Sequence, residues 1–107
     1  MLIGALLISA CGGEQSVSGW VRAVEQRPDS VQFTILTDTN PPEEITLNII
    51  GQLEGGGENF DANHLLDHAI KGLPIAVSYV AEPNGELTVV RATDAIWLAD
   101  RTPPTLP

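Results

Sequence analysis

The chain has 107 residues, 43% of them apolar and 18% charged, with fourteen carboxylates against five Lys and Arg for a formal net charge of −9. That length holds one compact domain and one modest core, and the composition is that of a globular chain and not of a disordered one. The cations stand singly at Arg22, Arg27, Lys71, Arg91 and Arg101, so no basic stripe can neutralise phosphates; this excludes nucleic acid as the expected partner, and anionic headgroups for the same reason.

Residues 1–10 are an uncharged apolar run, Leu2, Ile3, Ala5, Leu6, Leu7 and Ile8, closing on the small Ser9 and Ala10. The run is about half the roughly 20 residues needed to cross a bilayer. It reads as the hydrophobic region of a secretory signal with a small-residue processing site. Such a signal ordinarily opens on Lys or Arg; this one has neither, as though the start lay downstream of the true one. Cys11, the single cysteine, follows at once, so no internal disulfide is expected. Residues 11–16 then read as a flexible tether to a domain spanning 17–99.

Within that domain, VSGWVRAVEQ (17–26) reads as a strand bent or bulged at Gly19. RPDS is a turn. Val31, Phe33 and Ile35 alternate with Gln32 and Thr34, a half-buried second strand that the prolines of DTNPPEE end. Ile45, Leu47 and Ile49 repeat the period against Thr46 and Asn48. GQLEGGGEN (51–59) reads as a mobile linker, and FDANHLLDHAIKG as a helix with Asp61 as N-cap and Gly72 as left-handed C-cap. On that helix Ala62, Leu65, Leu66, Ala69 and Ile70 form the expected buried stripe, with His64, Asp67, His68 and Lys71 opposite. Ile75, Val77 and Tyr79 start a fourth strand. Asn84-Gly85 signals a hairpin, and 87–98 reads as one long fifth strand. Residues 100–107 are a proline-rich tail.

The order is β-β-β-α-β-β, an all-β chain with one helix. That order, the glycine-bent first strand and the size resemble the oligonucleotide/oligosaccharide-binding (OB) fold, which implies a five-stranded barrel with a helix plugging one end. The segment HLLDHAIKGLPIAVSYVAEPNGELTVVRATDA (64–95) resembles a group of small secreted bacterial domains with an OB-like barrel. Its carrying positions are His64-Leu65, His68, Gly72, Pro74, Val77, Tyr79, Gly85, Leu87 and Asp94-Ala95; the resemblance implies the fold and no chemistry. Ile8-Ser9-Ala10-Cys11 resembles the lipobox of bacterial lipoproteins. That resemblance implies cleavage before Cys11, lipid on Cys11, and a membrane-anchored protein outside the cytoplasm; Gly12, where inner-membrane retention is associated with aspartate, leans outward only where an outer membrane exists. RPDSVQFTI (27–35) is similar to the second-strand region of the haem chaperone of cytochrome c maturation. The histidine and tyrosine with which that family handles haem lie in a C-terminal extension, and RTPPTLP holds neither.

Chemistry-bearing residues are few. No Gly-x-Ser-x-Gly elbow occurs, and no enzymatic activity or cofactor is expected. Gln32, Thr34, Thr46 and Asn48 share a polar strand face that could hold a ligand. His64 and His68, four apart on a helix, with Asp67 beside them, are the candidate metal set. The expected function is a lipid-anchored envelope protein with a non-enzymatic binding or accessory barrel and an envelope protein as partner. The alternative is metal or haem handling through His64 and His68.

Overall fold

The alternating segments form the strands that their period demands, as the computed structural model of residues 13–50 and 61–104 describes them. The expected signal, Cys11, and the 51–59 linker lie outside the described residues. The first three strands, β1 (Gln15–Gln26), β2 (Ser30–Thr37) and β3 (Glu44–Ile50), form an antiparallel meander. Helix α1 (Ala62–Lys71) precedes β4 (Pro74–Ala81) and β5 (Leu87–Asp94). The strands close in the order β1-β2-β3-β5-β4, with β4 back against β1. Every junction is antiparallel except β3 with β5, which meet in parallel at Asn48 and Thr88. This is the five-stranded OB-like barrel expected, in the order β-β-β-α-β-β.

Valines, isoleucines and two aromatic rings point inward from all five strands. Phe33, Ile35, Leu47 and Ile75 are essentially fully buried, and Val21, Val77, Tyr79 and Val89 complete the layer. Leu65 of α1 joins them at 0% exposure, so the helix does seal the barrel. The barrel begins earlier than 17: Gln15 and Ser16, read as tether, are rungs of β1 opposite Tyr79 and Ser78. Just before them, Arg91 donates to both carboxylate oxygens of Glu14, at 3.0 and 2.9 Å. These hydrogen bonds, more than the accompanying charge attraction, hold the Glu14 carboxyl below its ordinary pKa.

Gly19 has a different task from the one its sequence context suggests. The bulge in β1 falls at Arg22, where the register to β2 slips between Val21 and Ala23. At Gly19 the strand pairs with both neighbours at once, Thr37 on β2 and Ile75 on β4. A Cβ there would lie 2.0 Å from the Leu36 carbonyl oxygen. Only a residue without a side chain lets β1 pass that close.

The helix ends are as expected. The Asp61 carboxylate accepts from the His64 backbone N–H at 2.9 Å, and Gly72 caps the other end at φ 69°. The buried stripe is rotated from the expected one. Leu66 and Ile70 are 47% and 76% exposed, whereas His68 is buried. At about 100° per residue, the face turned to the barrel lies roughly 60° further toward the histidine side. The long fifth strand is also shorter than expected: β5 stops at Asp94, and Ile96–Leu98 forms a 3-10 turn. That turn folds Ala95 and Leu98 over Trp20 on the outer face of β1. The buried Trp20 indole N–H has no acceptor among the described residues, so Trp20 stabilises through buried area alone.

Urea unfolding of the full chain checks these assignments. Gly19→Ala should cost about 3 kcal/mol through backbone collision, and Leu65→Ala about 2–5 kcal/mol through the cavity it leaves. Leu66→Asp, on the exposed side, should cost no more than about 1 kcal/mol. A larger loss at Leu66 than at Leu65 would mean that the helix face is misassigned.

Candidate functional site

The four polar strand residues form cross-strand pairs: Gln32 stands opposite Asn48 and Thr34 opposite Thr46. Their side chains already hold one another. The threonine hydroxyls are 3.0 Å apart, and Gln32 Nε2 donates to Asn48 Oδ1 at 3.4 Å. Asn48, which is buried, also donates through Nδ2 to the Leu87 carbonyl at 3.3 Å. Its neighbour across that seam is Thr88, the rung that closes the barrel. Asn48 therefore links β2 and β5 through β3, a structural role that alternation alone does not show.

The histidines come together with an acid that the sequence placed thirty residues away in another element. His64 Nε2 and His68 Nε2 are 3.2 Å apart, and the rings stack with centroids 5.0 Å apart. Asp94, the last residue of β5, places Oδ1 2.9 Å from His68 Nε2 and 3.9 Å from His64 Nε2. The other nitrogen of His68, Nδ1, lies 3.1 Å from the Leu73 carbonyl oxygen. A carbonyl can only accept, so Nδ1 carries the proton and Nε2 of a neutral ring offers its lone pair to the cluster. Asp67 is not part of it: its carboxylate pairs with Lys71 Nζ at 3.4 Å on the exposed side of the helix. Nor do the two imidazoles simply face solvent, since His68 is 4% exposed.

Asp94 reaches this place through a fault in register. From the hairpin, Ala81 faces Leu87 and Tyr79 faces Val89, but Ser78 faces Arg91. Val90 is thus an extra residue, and beyond it the side-chain alternation of β5 is reversed. Asp94 then stands opposite Ile75 on the inward side, beside the C-terminus of α1. Without the slip Thr93 would occupy that position. No alternation count in the sequence marks the slip.

A second feature is a groove of about 470 Å³ on the outside of β1, β4 and β5, lined by Ser16, Ser18, Ala76, Ser78, Thr93 and Trp97. Trp97 is 62% exposed at its edge. The sequence placed this ring inside a strand; the 3-10 turn presents it to solvent. No family model, no curated protein and no solved structure matches this chain.

Asn48→Ala removes the seam bonds and should lower stability by about 1–2 kcal/mol. Thr34→Ala, on the same face, should change it by no more than about 0.5 kcal/mol. Thermal or urea melts of both variants read the difference, and equal small losses would deny Asn48 its place in closure.

Proposed function

We propose that this chain is a lipid-anchored protein of the bacterial envelope, outside the cytoplasm, whose OB-like barrel is a non-enzymatic binding or accessory module. The binding half rests on the groove beside Trp97. Its volume of about 470 Å³ falls among ligand sites of roughly 300–1,000 Å³, and it combines apolar walls with a few hydroxyls, as such sites do. The exposed indole offers a flat surface to an apolar or ring-bearing partner.

The anchoring half rests on Ile8-Ser9-Ala10-Cys11 behind its apolar run. Glu14, held by Arg91, is three residues beyond Cys11. Three extended residues reach about 11 Å, so lipid on Cys11 would keep the barrel close to the bilayer surface. Charge supports a partner other than nucleic acid. Arg27, Lys71, Arg91 and Arg101 each lie against a carboxylate, Glu25, Asp67, Glu14 and Asp38 respectively, which leaves little free cation for phosphates.

Metal handling through His64 and His68 is a second reading, and the approach of Asp94 is the observation that favours it. For haem no comparable observation exists among the described residues.

Detergent phase separation of the full chain, produced in a bacterium with a lipoprotein pathway, tests the anchor. The wild type should enter the detergent phase and label with a palmitate analogue, and Cys11→Ala should do neither while keeping the same circular dichroism. Wild-type protein that stays aqueous and unlabelled would overturn the reading.

A further inference from the structure

We propose that His64, His68 and Asp94 hold a divalent transition metal of the zinc type. The inference rests on the metal-handling reading and gives it ligands and a metal class.

Geometry carries it first. The three facing atoms are 3.2, 3.9 and 2.9 Å apart. A tetrahedral ion with bonds of roughly 2.0–2.1 Å sets its ligands about 3.3 Å from one another, and these separations bracket that edge. The triangle they make has a centre about 2.0 Å from every corner, close to the roughly 1.9 Å of one face of such a tetrahedron, so an ion bonded to all three sits just above its plane. All three donors therefore fit a single ion without rearrangement of the helix or strand, and they occupy one face of its tetrahedron.

The hydrogen-bond pattern points the same way. With the His68 Nδ1 proton directed at Leu73, a neutral His68 ring turns a lone pair toward a carboxylate oxygen only 2.9 Å away. Two acceptors at that distance require a cation between them or a proton on the nitrogen. A metal ion supplies that cation, within reach of His64 Nε2 as well. The Leu73 carbonyl then acts as such carbonyls do behind metal-bound imidazoles: it fixes the tautomer and the ring orientation. Burial of His68 adds rigidity, since a ligand held in the protein does not pay the ordering cost of a free side chain.

Donor chemistry selects the metal. Two imidazoles and one carboxylate suit zinc and its first-row neighbours. Magnesium and calcium prefer six or more oxygens, and copper(I) prefers sulfur. Among the described residues three ligands reach the ion, and two of them, His64 and Asp94, are partly exposed. The site lies four rungs along β1 and β4 from Gln15, on the level of Gly19 and Ile75. At about 3.3 Å per residue that is roughly 13 Å from the start of the barrel, so an anchored protein would carry the site away from its attachment.

Titration calorimetry of the full chain in detergent with zinc chloride tests the proposal, with cobalt chloride as a spectroscopic probe. One zinc per chain should bind with a Kd below about 1 μM, cobalt should give the intense visible bands of a tetrahedral ion, and magnesium should give no heat. Asp94→Asn and His64→Ala, both at partly exposed positions that spare the core, should each weaken zinc at least about tenfold. His68→Ala should abolish the site, and circular dichroism shows whether that variant still folds. Zinc binding that is unchanged in Asp94→Asn but lost in His64→Ala would overturn the three-ligand site and leave a simple histidine pair. No zinc binding by the wild type would overturn the site and the metal-handling reading together.

Discussion

The pairing of β5 with two unlike neighbours is the constraint on which the rest of this molecule depends. The strand runs antiparallel to β4 along most of its length and meets β3 in parallel at Thr88, where the barrel closes. A strand so shared must twist strongly, and the extra residue at Val90 provides the local bend that a bulge allows. The same residue reverses which side chains face inward beyond it, because the period of a strand is two. Closure falls at Thr88 on one side of the irregularity, and the placement of Asp94 follows from it on the other. A barrel closed without it would present Thr93 to the helix in place of Asp94.

The helix is fitted to that strand end. Gly72 turns the chain sharply in the left-handed conformation, and within two residues Pro74 has become the first rung of β4. So short a connection fixes the C-terminal turn of α1 beside the last rung of β5, opposite Ile75. The helix settles with Leu65 in the core and the histidine side turned under, at the expense of leaving Leu66 and Ile70 in solvent. Burying an imidazole is unfavourable unless its nitrogens are satisfied. His68 meets that requirement at Nδ1 through the Leu73 carbonyl, and its Nε2 faces the Asp94 carboxylate, where a cation or a proton between the two completes it. Exposed aliphatic side chains cost little by comparison, and this weighs against the rotation that an amphipathic pattern would choose.

Much of the architecture was legible in the residues. Alternation at Val31, Phe33 and Ile35 and at Ile45, Leu47 and Ile49, the caps at Asp61 and Gly72, and the Asn84-Gly85 turn are local signals with local causes, and they specify the order of elements. What escaped them is set by tertiary contact. The bulge at Arg22 and the extra residue at Val90 carry no compositional mark, and each moves every later side chain to the other face. Gly19 was visible as special, but its reason, the approach of the Leu36 carbonyl, belongs to a neighbouring strand. The same holds for the site. The spacing of His64 and His68 announced a pair, and Asp67 was the nearest acid in sequence; the acid that arrives in space is Asp94, from a different element. Trp97 falls within the fifth strand expected over 87–98, and the turn after Asp94 brings it to the surface instead.

The central claim is that one strand irregularity and one short helix–strand connection converge three ligands on a single point. Anomalous diffraction from crystals of the protein grown with zinc, collected on both sides of the metal absorption edge, measures that convergence directly. One ordered zinc per chain is expected, about 2.0–2.1 Å from His64 Nε2, His68 Nε2 and a carboxylate oxygen of Asp94. An ion held elsewhere, or a His68–Asp94 contact that persists with no metal between its partners at saturating zinc, would contradict it.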